Sequence, residues 1–558
     1  MAWDSGGDGT ALKDGMLDAA RLPGTVASPR FNLGRRPTKT RLATEADEKI
    51  PIKFHNVPVA DKAAIERRMS DDTLQRWRYL WDVAFPEHAQ FPPGNERERS
   101  TLSRIDTEKG CEAGIIERVT PEMEAIFPTR ALGIAFTVVD DRKKDFQPER
   151  PDDDSAKKRR FILWTKALNF YAQQQGYEPE MSDLQHPSKF LQDLRFSSTT
   201  TGDLTLAFYQ HELSQRQRAL CRFYNSEGVL LQSTRGIMGH TCFAEIQQIF
   251  TAVLAGDPRR CKEEFTLRVP SLRTWIDGVK FSGSEEQMLA AGTFIDEAAA
   301  EVGATWNRDE RLTAVKYCTF IGGDWDHEAK SIACSEKFLR RLPKNCPQSL
   351  SLLEAERLFG RLIHAAGMLR LPLAHYYWAM KWYRRRANAY SKGAVDVSEQ
   401  QILPWSVRSC LQRWIINAKK VVTIPHGGFG NDEATLFTDA SLKGWGAILV
   451  TAAAEVRVAG AAWKREHDCS EISTLEARAA VNALTAFQEL LRHGIMAGEI
   501  DALKVVVDNT SVIAAVAKGA AHEEQLNAEV AQLVDALRAM EIGVTFAYIA
   551  NEFVRRFS

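Results

Sequence analysis

Residues 436–450, Leu436-Phe-Thr-Asp439-Ala-Ser441-Leu-Lys443-Gly444-Trp-Gly-Ala-Ile-Leu-Val450, set an aspartate inside a run that otherwise alternates like a half-buried strand. Aspartate is disfavoured in strands and seldom buried alone, so any fold that keeps this strand must supply a partner for the charge. The polar tip from Ser441 to Gly444 reads as the turn between two adjacent strands. Two acids downstream offer a reason. Ser473-Thr-Leu-Glu476 opens an amphipathic helix over about 474–493, and Leu503-Lys-Val-Val-Val-Asp508-Asn-Thr-Ser is an apolar strand that ends on an acid and turns into the next helix. From 434 onward the predicted order is three strands, helix, strand, helix, helix, strand, with the last strand at 543–549. That topology lets Asp439, Glu476 and Asp508 converge at one end of a central sheet. Converging carboxylates repel unless they share a divalent cation, and hard oxygen ligands suit Mg²⁺. Singly, each acid has a plainer reading: Glu476 closes a capping box with Ser473, Asp508 caps the next helix, and Asp439 forms a turn.

A chain of 558 residues with 44% hydrophobic content can bury several cores, so a multi-domain protein is expected. No apolar run is long enough to span a bilayer, and the first residues lack the basic-then-apolar layout of a signal peptide, so an intracellular protein of cytoplasm or nucleus is expected. Nine scattered cysteines without a Cys-x-x-Cys pair give neither a disulfide framework nor a zinc site. The net charge of −1 does not favour nucleic acid by itself, so any such binding has to come from local basic patches.

The wording TDAS-L-x-GWGA, then S-x-LEA, then VVDN-T resembles the ribonuclease H domain that follows a reverse transcriptase in retrotransposons, of the tyrosine-recombinase (DIRS-like and VIPER-like) class. The order Asp, Glu, Asp separates it from integrases and transposases of the same fold, which run Asp, Asp, Glu. The resemblance implies catalytic and metal-binding roles for Asp439, Glu476 and Asp508.

Upstream, from about 108, the chain is similar to the polymerase half of the same proteins. Gly114-Ile-Ile-Glu-Arg-Val, Phe136-Thr-Val-Val with Lys143-Lys144, and Arg160-Phe-Ile-Leu-Trp-Thr-Lys-Ala-Leu-Asn169 match fingers strands and their basic turn, on either side of a polar loop from Gln147 to Lys158. The resemblance implies that Lys143, Lys144 and Arg160 hold the triphosphate of a nucleotide. Thr201-Gly-Asp203-Leu-Thr-Leu-Ala-Phe208 resembles polymerase motif A, with Asp203 binding metal and Phe208 pressing on the sugar to reject a 2′-hydroxyl. Thr234-Arg-Gly-Ile-Met238-Gly239 and the helix after it resemble motif B under the templating base. Trp275-Ile-Asp277-Gly278 resembles motif C with a glycine in place of its second aspartate. Phe320-Ile-Gly322 resembles the primer grip, and Lys381, Arg384, Arg385 and Arg386 on a thumb helix interleave with aromatics as a track for nucleic acid. At the end of the chain Arg555 stands where the ribonuclease H pattern has a fourth acid.

The expected fold is α/β and α+β multi-domain, a right-hand polymerase (fingers, palm, thumb) followed by a ribonuclease H-like mixed five-stranded sheet with helices. The expected boundaries are a disordered arm at 1–45, a helical extension at 46–107 with Trp77, Trp81 and Phe85 as core, fingers and palm at 108–345, thumb, connection and linker at 346–430, and the ribonuclease H-like domain at 431–558. The implied activity is an RNA-directed DNA polymerase with ribonuclease H, using two Mg²⁺ per site on Asp203 and Asp277 and on the later three acids. Implied partners are an RNA template, a DNA primer, an RNA–DNA hybrid and dNTPs, with no membrane. The alternative is a decayed or co-opted copy that binds nucleic acid without catalysis, which Gly278 and Arg555 favour.

Overall fold

The computed structural model describes residues 40–42, 52, 54, 58–87, 101–128, 133–140, 159–180, 187–423, 433–451, 453–500, 502–540 and 543–548. Lys143, Lys144, the loop from Gln147 to Lys158, the ending from Asn551 to Ser558 and all of the expected arm except Thr40–Leu42 lie outside them. The chain divides into two compact units, one of Arg35–Ser331 with Ser335–Arg341, the other containing Ile332–Cys334 and Leu342–Ser558. The fold is mixed α/β and multi-domain.

In the first unit, a four-stranded antiparallel sheet runs in the order Leu312–Val315, Ser198–Asp203, Gly278–Gly283, Ser271–Trp275. The strand at 198–203 opens Ser-Thr-Thr-Thr, four buried hydroxyl residues in a row. β-Branched threonine suits the pleat, and the hydroxyls find partners indoors: Thr199 Oγ1 donates to the Phe281 carbonyl at 2.6 Å and Thr200 Oγ1 to that of Met288 at 2.8 Å. Helices Phe243–Leu254 and Glu285–Val302 pack against this sheet, the second opened by a capping box on Ser284 and Gln287 and closed by Gly303 in the left-handed region. A second sheet joins Thr40–Leu42, Ile134–Asp140 and Arg159–Trp164. Thr40–Leu42, inside the stretch expected as an arm, pairs antiparallel with 138–140. Helices Lys62–Arg68 and Asp71–Ala84 bury Trp77, Trp81 and Phe85, the stripe spaced at four, in the main core. Arg159 donates to both carboxylate oxygens of Asp106 at 2.6 and 2.7 Å, with both side chains almost wholly buried.

In the second unit, a five-stranded mixed sheet is ordered Val456–Ala462, Gly444–Val450, Glu433–Ala440, Ala502–Val507, Gly543–Tyr548, the first three antiparallel and the last two joining in parallel. This is a mixed five-stranded sheet with helices, as expected for this part of the chain. The helix expected over 474–493 is two helices, Ile472–Ala486 and Gln488–Ala497, divided at Phe487, whose ring is buried in the core. Alanines 480 and 483 and Leu484 of the first helix meet Ala434, Leu436, Ala447 and Leu449 of the sheet, and small residues there allow close approach. Within the stretch expected as thumb, connection and linker, Trp405–Asn417 is a helix whose buried Trp414 stacks on Tyr376 at 4.3 Å. Among the described residues, no helix is long and apolar enough to cross a membrane.

Removing one partner of a buried ion pair strands the other charge, so Asp106→Ala should cost the protein about 3–5 kcal/mol in urea unfolding, with Asp106→Leu/Arg159→Met costing clearly less. A loss under about 1 kcal/mol for Asp106→Ala would remove the buried pair from the stabilising inventory.

Candidate active sites

Asp203 closes the strand Ser198–Asp203 and sits opposite Gly278 in the antiparallel register. Asp277 is the second residue of the two-residue turn between Trp275 and Gly278, and its carbonyl accepts from the amide of Leu204 at 2.9 Å. The two acids therefore lie at the tips of neighbouring strands. The first turn residue, Ile276, has φ 55°, a conformation for which this hairpin type normally uses glycine. Two side chains of the helix Phe243–Leu254 clamp it: Gln248 Oε1 accepts from the Ile276 amide at 2.6 Å and Thr251 Oγ1 donates to its carbonyl at 2.6 Å. Gln248 is held in turn by donation to Thr274 Oγ1 at 2.7 Å. Strain of this kind persists only where the surroundings over-determine it.

Burial foremost, then the charge of Asp277 and of Glu310, pushes the Asp203 carboxyl up to about 7. Asp277 is also raised, mainly by burial, with Arg160 opposing the shift and Glu310 adding to it. Arg160 is exposed on its strand, on the side from which its charge reaches Asp277. Glu310 was not singled out from sequence, since an acid in Arg308–Glu310 carries no local pattern. A Cβ on Gly278 would meet Asp203 Oδ1 at 3.5 Å and Phe320 at 3.6 Å, ordinary contact distances, so no packing forces glycine there.

Phe208 lies in the short turn Ala207–Gln210, half-buried against Phe243. Gly239 has φ 119°, and a Cβ there would come within 2.5 Å of the Leu163 carbonyl oxygen, so this position requires glycine. The Met238 carbonyl accepts from the Leu163 amide at 3.0 Å, and Asn169 bridges the loop by donating to the Gly239 carbonyl and accepting from the Thr241 amide, both at 2.8 Å. Phe320 and Gly323 flank a two-residue hairpin turn made of Ile321 and Gly322, both of which have positive φ.

In the second unit, Asp439, Glu476 and Asp508 offer carboxylate oxygens that all lie within 4.8 Å of one another. Parallel pairing explains two of them. Phe437 is in register with Val506, so Asp439 and Asp508, each two residues on, emerge at the same level of adjacent strands. Glu476 comes from the first turns of Ile472–Ala486, where its Oε1 accepts from the Ala440 amide at 3.2 Å. Its Oε2 is buried and has no hydrogen-bond donor among the described residues. Burial, then Asp508 and Asp439, pushes Glu476 up to about 8, while Asp439 and Asp508 are raised by burial first. The plainer readings fail for two of the acids. Ser473 lies inside the helix and caps nothing, and the next helix is capped by Asn509, whose side chain accepts from Ser511 and Val512. Three convergent carboxylates with one orphaned oxygen fit a divalent cation with hard ligands.

The four basic residues of the helix Tyr377–Ser391 lie in different surroundings. Lys381 pairs with Glu524 at 3.1 Å and Arg384 meets His522, so both are engaged in docking Tyr377–Ser391 against the C-terminal part of the same unit. The Ala374 carbonyl accepts from Asn527 at 3.0 Å and His375 pairs with Asp535 at 2.9 Å along that seam. Arg385 is exposed and Arg386 half-buried.

No protein-family model matches the chain, and neither does any curated protein. Among solved structures it is similar to a foamy viral protease-reverse transcriptase (dRH) in complex with double-stranded DNA, at 12% identity and a TM-score of 0.46 over 90% of this chain and 84% of that one. It is similar also to the foamy viral protease-reverse transcriptase in complex with RNA/DNA hybrid, at 12% identity and a TM-score of 0.43 over 88% of this chain and 62% of that one.

Glu476 is raised in the folded state, so its contribution to stability is present below the ordinary carboxylate pKa and is lost as pH climbs through about 8. Without added metal, Glu476→Gln should raise the thermal midpoint at pH 9 by roughly 2–4 °C and leave it unchanged at pH 5. Mg²⁺ should stabilise the parent protein but not the variant. Equal midpoints for both proteins at pH 9 would mean that the acid carries no such penalty.

Proposed function

We propose that the chain is a retroelement-encoded RNA-directed DNA polymerase with a ribonuclease H domain, of the tyrosine-recombinase class its wording resembles. The observation that carries this reading is a pair of separate acidic centres, Asp203 with Asp277 in one unit and Asp439 with Glu476 and Asp508 in the other. On this reading residues 108–345 are fingers and palm, 346–430 thumb and connection, and 431–558 the nuclease, with 46–107 a helical extension.

Bound Mg²⁺ would neutralise these carboxylates and stabilise the charge that develops on the reacting phosphate. Asp203 and Asp277 would hold it in the first centre, fixed by the braced turn at Ile276. Arg160 would balance the charge of an incoming dNTP, Phe208 would meet its sugar, and Met238 and Gly239 would lie beneath the templating base. Phe320 and Gly322 would steady the primer end, and Arg385 and Arg386 would face the phosphate backbone. In the second centre Asp439, Glu476 and Asp508 would hold the ions and orient water toward the RNA strand of a hybrid. Glu476 Oε2 has no protein donor to give up on binding.

A second reading, a binder without catalysis, is favoured by Gly278 alone among described positions. With a DNA primer on an RNA template and Mg²⁺, Asp203→Asn should lower extension at least about a hundredfold and spare hybrid cleavage, while Asp439→Asn should do the reverse. Gly278→Asp should raise extension severalfold, because a Cβ is accommodated there and the substitution restores a third carboxylate. No extension by the unmodified protein, with hybrid binding retained, would leave the second reading standing.

A further inference from the structure

Within the second unit, three elements each bring an arginine to the short turn Leu373–Tyr376. Arg370 follows the helix Leu352–Met368 at φ 53°, a left-handed position where glycine is the usual residue. Arg413 lies on Trp405–Asn417 one turn before Asn417, whose side-chain amide donates to the Tyr376 hydroxyl at 3.0 Å, and beside Trp414, which stacks on the Tyr376 ring. Arg538 lies on Glu524–Arg538 one turn beyond Asp535, which pairs with His375 at 2.9 Å. It is also in line, about three turns on, with Asn527, which donates to the Ala374 carbonyl.

All three arginines are exposed, and among the described residues none has a carboxylate partner. The acids of this seam are taken up by other groups, Asp535 by His375 and Glu524 by Lys381. Arg413 meets the Cys410 thiol, a neutral and weak partner. Partial burial, and after it the charge of Arg538, push the Arg370 guanidinium below its ordinary value, although the side chain as a whole is exposed. Burial raises the Tyr376 hydroxyl, with Asn417 and the charges of Arg413 and Arg538 opposing the shift. Like charges gathered without a counter-ion repel, and a bound anion removes that cost, the mirror image of the acidic centres. The guanidinium fork matches the oxygens of a phosphate, and exposed forks on an open surface suit a long polyanion better than a small enclosed one. We propose that Arg370, Arg413 and Arg538 form a patch that binds phosphate groups along the backbone of a nucleic-acid duplex. The proposal rests on the polymerase and nuclease reading for the choice of partner; the uncompensated charge does not.

Fluorescence anisotropy of the full chain with a labelled RNA–DNA hybrid of about 20 base pairs, in EDTA and KCl from about 50 to 200 mM, tests it. Each single change, Arg370→Gln, Arg413→Gln or Arg538→Gln, should flatten the slope of log affinity against log salt by about 0.9, and the triple variant by about 2–3. The unfolding midpoint should not fall, because the side chains are exposed and their removal relieves repulsion. Arg268→Gln, which takes an exposed charge from its pair with Glu263 in the first unit, should leave the slope unchanged. Calorimetry with inorganic phosphate and diphosphate separates the sources of the anion. Loss of phosphate affinity in the triple variant with an unchanged hybrid slope would make the ligand a free anion and overturn the proposal. So would a hybrid slope that the triple variant keeps, or one that Arg268→Gln lowers as much as a single patch variant does. If the unmodified chain does not bind the hybrid at all, the polymerase and nuclease reading falls with the proposal; if it binds and the triple variant keeps the slope, only the patch falls.

Discussion

Repulsion among carboxylates is the constraint around which the second unit is built. Three acids that each offer an oxygen within 4.8 Å of the others cannot all be ionised without cost in a partly buried site, and burial first, then the charges of Asp508 and Asp439, raise the Glu476 carboxyl to about 8. The fold tolerates it because each acid is held by something other than its own charge. Asp439 and Asp508 are fixed by strand register, one through the hairpin to Gly446 and both through parallel pairing. Glu476 is fixed by helix packing, with Leu475, Ala479 and Ala440 forming a small apolar cluster beside it. None of the three can move away without disturbing the core.

The first unit meets the same problem by a different means. Only two acids sit at the strand tips, and the element that carries Asp277 is a strained turn instead of a stiff strand. The strain at Ile276 is balanced by a glutamine and a threonine from the helix that also forms the floor of the sheet. A buried ion pair reinforces the adjoining strand, where Lys280, wholly inaccessible, lies 3.4 Å from Asp193 and 2.8 Å from Ser282 Oγ. Removing either brace would relax the turn and let Asp277 drift, whereas the sheet beneath would persist.

What could be read from the residues, and what could not, follows from the range of the interactions. Alternation at 436–450 and the apolar strand before Asp508 are local patterns, and the structure returns both as neighbouring strands with their acids level. The division of the long helix at Phe487, whose ring is buried in the core, has no counterpart in the continuous helical periodicity of 474–493. The helix Trp405–Asn417 has Pro404 before it and Pro425, Gly427, Gly428 and Gly430 after it in sequence, residues typical of loops, although the helix itself has a buried apolar face. Charge on a helix says nothing about what it faces within the protein, so the pairing of Lys381 with Glu524 and of Arg384 with His522 left no trace in the residues. Gln248 carried no sign of its role, since bracing a turn 28 residues away leaves no local pattern.

Gly278 separates the two centres in kind. Glycine is usually kept where backbone geometry or close approach demands it, as at Gly239. At 278 neither applies: φ is not positive and an added Cβ would make only ordinary contacts. The missing acid is therefore a difference in charge and not in shape. With two carboxylates and Glu310 at longer range, Asp203 is raised to about 7, which shows how little additional negative charge this buried tip could carry unassisted. A third acid at 278 would add repulsion to the metal-free protein and a ligand to the loaded one, so its presence stabilises only a state with cations bound. A glycine there shifts the balance toward a fold that stands without them, while leaving in place the turn, the brace and the two acids on which two-metal chemistry depends.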